Sequence, residues 1–299
     1  MHDLVATWAR EFALLQPGAM FDCDYRTKLS AEGVSAMLAG QTDIITFVRE
    51  PFASEIEALT KKTGQAPVII NIAGGSYATK SGTHAIAIFV NAKNPIAQLS
   101  LKQLDAIYSR ERRRGAATAI VTWGQLGLKG EWAARSIHPY GMLHKRESGN
   151  PPGIVNFIKK RVLLDGEFRD DVNEQVDRSG ETALDAIVNR VAEDPFAIGY
   201  SGFAYAKDGT KTLSMAARDN GPYIAGTVEN VTSRAYPLSR QIYLGLVAGP
   251  DGRLPTLLKE FVRYVLSTQG QQVVAKDHTH FIPLTEEQAR AADSMLDAH

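Results

Sequence analysis

The chain has 299 residues, a length that favours two domains over one. Lys and Arg total 33 and so do Asp and Glu, so no global basic field is available to hold nucleic acid and no polybasic segment reads as membrane-binding. A single cysteine, Cys23, excludes an intrachain disulfide and any cysteine-rich metal site.

In chain order, residues 3–15 place Leu4, Val5, Trp8, Phe12 and Leu15 on one helical face. The start, MHDLVATWAREF, lacks the basic, apolar and small-residue layout of a secretion signal. Residues 19–25 read as a short strand and 27–33 as a polar loop, before a helix over 34–39. Residues 43–48 (DIITFV) read as a buried strand running into Arg49, Glu50 and Pro51. Ser54 is the expected cap of the next helix, which Gly64 ends. Residues 66–73 form another apolar strand. Such alternation argues for an α/β fold with a mainly parallel sheet, whose ligands gather at strand carboxyl ends.

Residues 74–81, GGSYATKS, look like a phosphate-cradling P-loop. However, Thr79 stands where glycine should precede the lysine, and a strand follows instead of a helix. A glycine-rich segment crossing between domains is the better reading. A strand from Ala85, a turn at Lys93, Asn94 and Pro95, and a helix over 99–109 come next. The basic run Arg110 to Arg114 has no interleaved aromatics and reads as a solvated face.

Residues 137–143 read as a strand leading into a polar loop and then a helix. Asn150 suits the N-cap and Pro151 the first helical position, with Ile154, Val155, Ile158 and Val162 at helical spacing. Arg146, Ser148 and Gly149 then sit at a helix N-terminus, where free amides and partial positive charge favour an anion. The competing reading is an ordinary capped helix with a surface arginine. Further on, 182–191 and 257–266 read as helices, 197–201 and 241–249 as strands, and 286–296 as a closing helix.

Catalytic motifs are lacking: there is no GxSxG, no HExxH and no paired Cys/His spacing. His278 and His280 share a face without a third ligand and read as surface histidines. The residues call for no catalytic group, metal or cofactor.

Several motifs together resemble one family. They are W-x3-F from Trp8, the Ser/Gly stretch 29–34, G-x2-D-I from Gly40, R-E-P-F from Arg49 and A-I-F-V-N-A-K-N-P from Ala87. L-x2-L-D-A-I-Y from Leu101, T-W at Thr122, R-x-S-G from Arg146, A-I-G-Y-S from Ala197, Y-P-L-S-R from Tyr236 and L-S-T-x-G-Q from Leu266 follow in order. The chain is similar to the PstS-like phosphate-binding component of bacterial ABC transporters, a type II periplasmic binding protein. The resemblance implies two α/β domains around a ligand cleft, 1–85 plus 236–299 and 86–235, joined by crossings near 74–90 and 230–242. It implies a periplasmic monomer that captures phosphate or a related oxyanion and delivers it to a membrane permease, with no nucleic-acid partner. The family's cleft arginine corresponds to Arg146, and its Ser-Gly-Thr run to Ser148, Gly149 and Asn150. Its first-domain serine loop corresponds to Ser30, with Gly33 behind it.

Three departures stand out. Asn150 replaces a threonine, the family's first strand is missing, and Arg49 stands near the usual aspartate. Were Arg49 to face the cleft, the site would hold two guanidiniums and no obvious proton acceptor. Arg49 equally suits a structural pair with an acid on the next helix, and Glu50 a pair on the surface. An intracellular anion sensor of the same fold and a phosphate-ester enzyme using the same cleft are the alternatives.

Overall fold

The computed structural model describes residues 1–23, 29–80, 82–144, 149–249 and 251–298. The helices are α1 His2–Leu15, α2 Ser30–Leu38, α3 Ala53–Thr63, α4 Leu101–Tyr108, α5 Gly153–Arg161, α6 Ala183–Glu193, α7 Val228–Thr232, α8 Thr256–Leu266, α9 Thr268–Lys276 and α10 Glu286–Asp297. The strands are β1 Ile44–Phe47, β2 Val68–Gly74, β3 Ile86–Asn91, β4 Gln98–Ser100, β5 His138–Met142, β6 Asn173–Gln175, β7 Ala197–Gly202, β8 Thr210–Thr212, β9 Ser214–Ala216 and β10 Gln241–Leu246. The chain divides into two compact units, Met1–Thr83 with Arg240–His299, and His84–Ser239.

The first unit carries a sheet of order β1-β10-β2, in which β10 runs antiparallel to both neighbours. Side chains alternate across this sheet as strand geometry requires. Ile70, Ile72, Ile242, Leu244 and Leu246 join Leu4, Trp8 and Phe12 of α1 and Phe261, Val262 and Val265 of α8. On the other face Ile45 and Phe47 pack with Val34 and Met37 of α2 and Leu59 of α3. Both faces are covered by helices, which is why the three strands read as nearly unbroken apolar runs.

The second unit holds a five-stranded sheet, β6-β5-β7-β3-β8, and a small parallel pair, β4-β9. Its central strands β3 and β7 are buried along their full length. The Tyr108 hydroxyl spans two neighbours from α4, bonding the carbonyls of Tyr140 (3.0 Å) and Ile198 (3.1 Å).

The structure corrects several details of the sequence reading. The sheets are mixed rather than mainly parallel: β3 is antiparallel to both β7 and β8, while β5 is parallel to β6 and β7. The antiparallel members are strands at or just beyond the points where the chain changes unit, which enter their sheets without a preceding crossover helix. No strand forms over residues 19–23, and 24–25 lie outside the described residues. Phe21 instead packs edge-on against Phe12 and close to Phe261. The basic run is not simply solvated. Arg114 turns back to bond the carbonyls of Val162 (2.7 Å) and Arg161 (2.5 Å), which closes the C-terminus of α5 where a cation is favoured.

Candidate functional site

The sequence expects ligand residues at one strand end in each unit. In the first unit this is the C-terminal end of β1. The helix α2 begins at Ser30, earlier than expected, because Glu32 reaches back to accept the Leu29 backbone N–H at 3.0 Å and closes its first turn. Ser30 is therefore the first helical residue and is buried. Its Oγ accepts the Val48 N–H at 3.3 Å, joining the helix start to the strand end. Gly33 lies inside the helix rather than in a loop. A Cβ there would stand 2.9 Å from Ile45 Cγ2, so this glycine serves the close approach of α2 to β1.

Arg49 is occupied within its own unit. Its fork meets Glu55 with two bonds, Nη1–Oε2 at 2.8 Å and Nη2–Oε1 at 2.5 Å, while Nη1 also reaches the Glu50 carbonyl at 3.1 Å. The guanidinium lies 4.1 Å from the centre of the Phe52 ring. Glu55 also accepts the Phe52 N–H at 2.9 Å, so it caps α3 from its third position, and α3 starts before the expected cap Ser54. The pair is largely buried, with 13% of the Arg49 and 7% of the Glu55 side chain exposed. Arg49 is thus the structural partner of an acid on the next helix. Glu50 does not pair on the surface either. Its carboxylate holds Arg240, Nη2–Oε2 2.9 Å, with only 4% of the arginine side chain exposed.

Buried polar residues of the first unit concentrate here. Among the described residues they are Ser30, Glu55, Ser76, Thr83, Arg240 and Gln271, and all but Gln271 belong to this neighbourhood. Thr83 Oγ1 donates to the Val48 carbonyl. The Thr83 carbonyl accepts from Ser76, N at 2.7 Å and Oγ at 3.2 Å, and the Arg240 carbonyl accepts Gly75 N at 2.9 Å. Residues 74–80 therefore fold back toward Thr83 and meet β10, and the strand β3 follows. Glu55, Ser76, Thr83 and Arg240 did not stand out from sequence. Two signals were available: an acid three residues after Phe52, and an arginine directly before the apolar strand QIYLGL.

In the second unit, β5 runs toward the helix α5. Arg146 and Ser148, the central candidates, lie outside the described residues. Gly149 and Asn150 are exposed, and Gly149 takes φ +87°, a conformation that favours glycine. The helix begins two residues later than expected, with Pro152 rather than Asn150 at the N-cap. Pro151 precedes a second proline and is held out of the α region, which delays the helix to Gly153. Pro152 supplies no side-chain cap and no acid stands in the first turn of the helix, whereas α2 has Glu32 and α3 has Glu55. Three basic residues, Lys159, Lys160 and Arg161, close the other end. The first turn of α5 thus carries no carboxylate of its own at an end where partial positive charge gathers. His278 is exposed, and no cluster of metal-ligating side chains occurs among the described residues.

A two-unit α/β chain invites comparison with known binding proteins. Residues 1–269 match the profile of a PBP superfamily domain, and the chain belongs to that superfamily. The phosphate-binding protein PstS of Pseudomonas aeruginosa is 31% identical over 290 residues, 97% of this chain and 82% of the relative. The PstS-like character read from the motifs is borne out by that match. Among solved structures, PstS from Borrelia burgdorferi superposes with a TM-score of 0.61 at 16% identity, covering 95% of each chain. An ABC-type phosphate transport receptor from Vibrio cholerae gives 0.56 at 16% identity, over 94% of this chain and 95% of the other. The fold is that of the type II periplasmic binding proteins.

Proposed function

We propose that the chain is a substrate-binding protein that captures phosphate in the periplasm and passes it to the permease of an ABC importer. The observation that carries this reading is the relationship to the Pseudomonas aeruginosa phosphate-binding protein over nearly the whole chain. The acid-free first turn of α5, which follows Arg146, Ser148, Gly149 and Asn150 in the sequence, supports it physically. In this reading the second unit supplies the charge, through Arg146 and the α5 amides, and Ser30 supplies a hydroxyl from the first unit. The protein works as a monomer without chemistry of its own. Arg49 and Gly33 shape the first unit and do not touch the ligand. With Arg49 withdrawn, the notion of a site with two guanidiniums loses its basis, and phosphate is the favoured anion.

A thermal-shift screen of oxyanions tests the reading, because a ligand that binds only the native state raises its stability with the logarithm of concentration over Kd. Phosphate should raise the melting temperature in a dose-dependent manner and sulfate far less. A chain that phosphate leaves unmoved, or that sulfate stabilises equally, would contradict it.

A further inference from the structure

The two points where the chain changes unit fall between Thr83 and His84 and between Ser239 and Arg240. Both flanking residues of the first unit, Thr83 and Arg240, are buried polar residues. Both are also tied to the short segment Val48 to Glu50 just after β1. Thr83 Oγ1 donates to the Val48 carbonyl, and Arg240 grips the Glu50 carboxylate. Ser30 is tied to that segment too, since its Oγ accepts the Val48 N–H. A hydroxyl has one donor and two acceptor sites, so a serine that accepts from Val48 keeps its proton for a further acceptor.

We propose that Thr83 is a positioning residue for Ser30. A relay runs from the Thr83 hydroxyl to the Val48 carbonyl, and from the Val48 N–H to the Ser30 oxygen. It leaves the Ser30 proton directed at the anion. Because Thr83 is the last residue before the first crossing, the same relay couples anion capture to the backbone conformation of that crossing. Arg240 holds the adjoining residue of the segment from the second crossing, so Val48 to Glu50 cannot shift without disturbing both. The Val48 N–H and C=O belong to successive peptide groups, so the coupling is positional, through the Val48 backbone, and a double-mutant cycle separates it from two independent effects. The inference rests on the proposed function, in that Ser30 is taken to meet the anion.

The test is a cycle of Ser30→Ala, Thr83→Val and the double variant, titrated calorimetrically with inorganic phosphate, with Thr83→Ser as the conservative control. Thr83→Val should weaken binding about five-fold, the effect of one neutral hydrogen bond, and Thr83→Ser should restore it. In the Ser30→Ala background Thr83→Val should change affinity no further. Hydrogen exchange on the unaltered chain gives a second readout. Phosphate should slow exchange in 74–83 together with 44–50. Independent, additive losses, an unchanged affinity in Thr83→Val, or protection confined to 29–50 would overturn the inference. So would phosphate binding that ignores Ser30→Ala, with the function itself still standing. A parent chain that does not bind phosphate would instead remove the functional reading.

Discussion

The end of β1 and the start of α5 are matching places in their units, a strand end and a helix start, but they are charged in opposite ways. At the end of β1 the charged residues Arg49 and Glu50 already have partners in their own unit, Glu55 and Arg240. The helices there also carry acids in their first turns, Glu32 and Glu55. At α5 the first turn has no acid, and the N-cap residue Pro152 offers no side-chain cap. A buried ion pair contributes little net stability but fixes geometry, and breaking it leaves a buried charge uncompensated. On the proposed reading the first region holds position and the second receives negative charge.

The largest expected effect that sharpens this contrast is on stability. Arg49→Ala should destabilise the chain by about 3–5 kcal/mol, because Glu55 would be left buried and unpaired. Its phosphate affinity should stay within a few-fold of the parent. Denaturant unfolding with and without phosphate checks both halves, and a stable Arg49→Ala that no longer binds would reverse the roles assigned here.

Next in size is the addition of charge at α5. Asn150→Asp puts a carboxylate on an exposed residue just before the helix, where it competes with an incoming anion. Phosphate affinity should fall several-fold while the melting temperature holds or rises slightly, since an acid near a helix N-terminus is favourable. Calorimetric titration against Asn150→Thr as the neutral control measures it.

A smaller effect is expected at Gly33. The added Cβ of Gly33→Ala meets Ile45 Cγ2 at 2.9 Å, an overpacking cost partly offset by alanine's better helix propensity. A net loss of about 1 kcal/mol is expected in a urea melt, with phosphate affinity changed less than in Asn150→Asp.

The smallest effect belongs to Asp105, away from both regions. It is fully buried on α4 and accepts the Arg114 N–H at 2.8 Å. Burial pushes its carboxyl up, opposed by the hydrogen bonds from Arg114 and Ser109 and by the nearby arginine charges. A raised folded-state value means the stability it contributes is fully present below the ordinary aspartate range and is lost as pH rises through the shifted value. Asp105→Asn should flatten the stability profile across that acidic window. An unchanged pH dependence in melts from about pH 3 to pH 6, which brackets the ordinary aspartate value, would show that the carboxylate is not the titrating group.

What the sequence made legible follows from the range of each interaction. Helix faces such as Leu4, Trp8 and Phe12, and runs such as IAIFVN, declare themselves because periodicity and burial are local. The order of motifs carried the family. Strand direction was not legible, because the pairing of β3 with β7 joins segments about a hundred residues apart. Element starts were misplaced where one side chain or proline outweighed the general rule: Glu32 drew α2 back to Ser30, and consecutive prolines pushed α5 forward. At the candidate site, Arg49 was readable as an arginine beside a strand end, but its partner depended on where Glu55 would point. The role of Arg240 was hidden for the same reason, since Glu50 lies 190 residues away in sequence.

The central claim is the division of labour between the two arginines, and one calorimetric comparison addresses it directly. Inorganic phosphate is titrated into the parent chain, Arg146→Ala and Arg49→Ala at a temperature where all three are folded. Saturable binding by the parent, a loss of at least about ten-fold in Arg146→Ala, as expected for a charge-assisted bond to a desolvated anion, and near-parent affinity in Arg49→Ala is the predicted result. Undiminished binding in Arg146→Ala, or abolished binding in a folded Arg49→Ala, would contradict it.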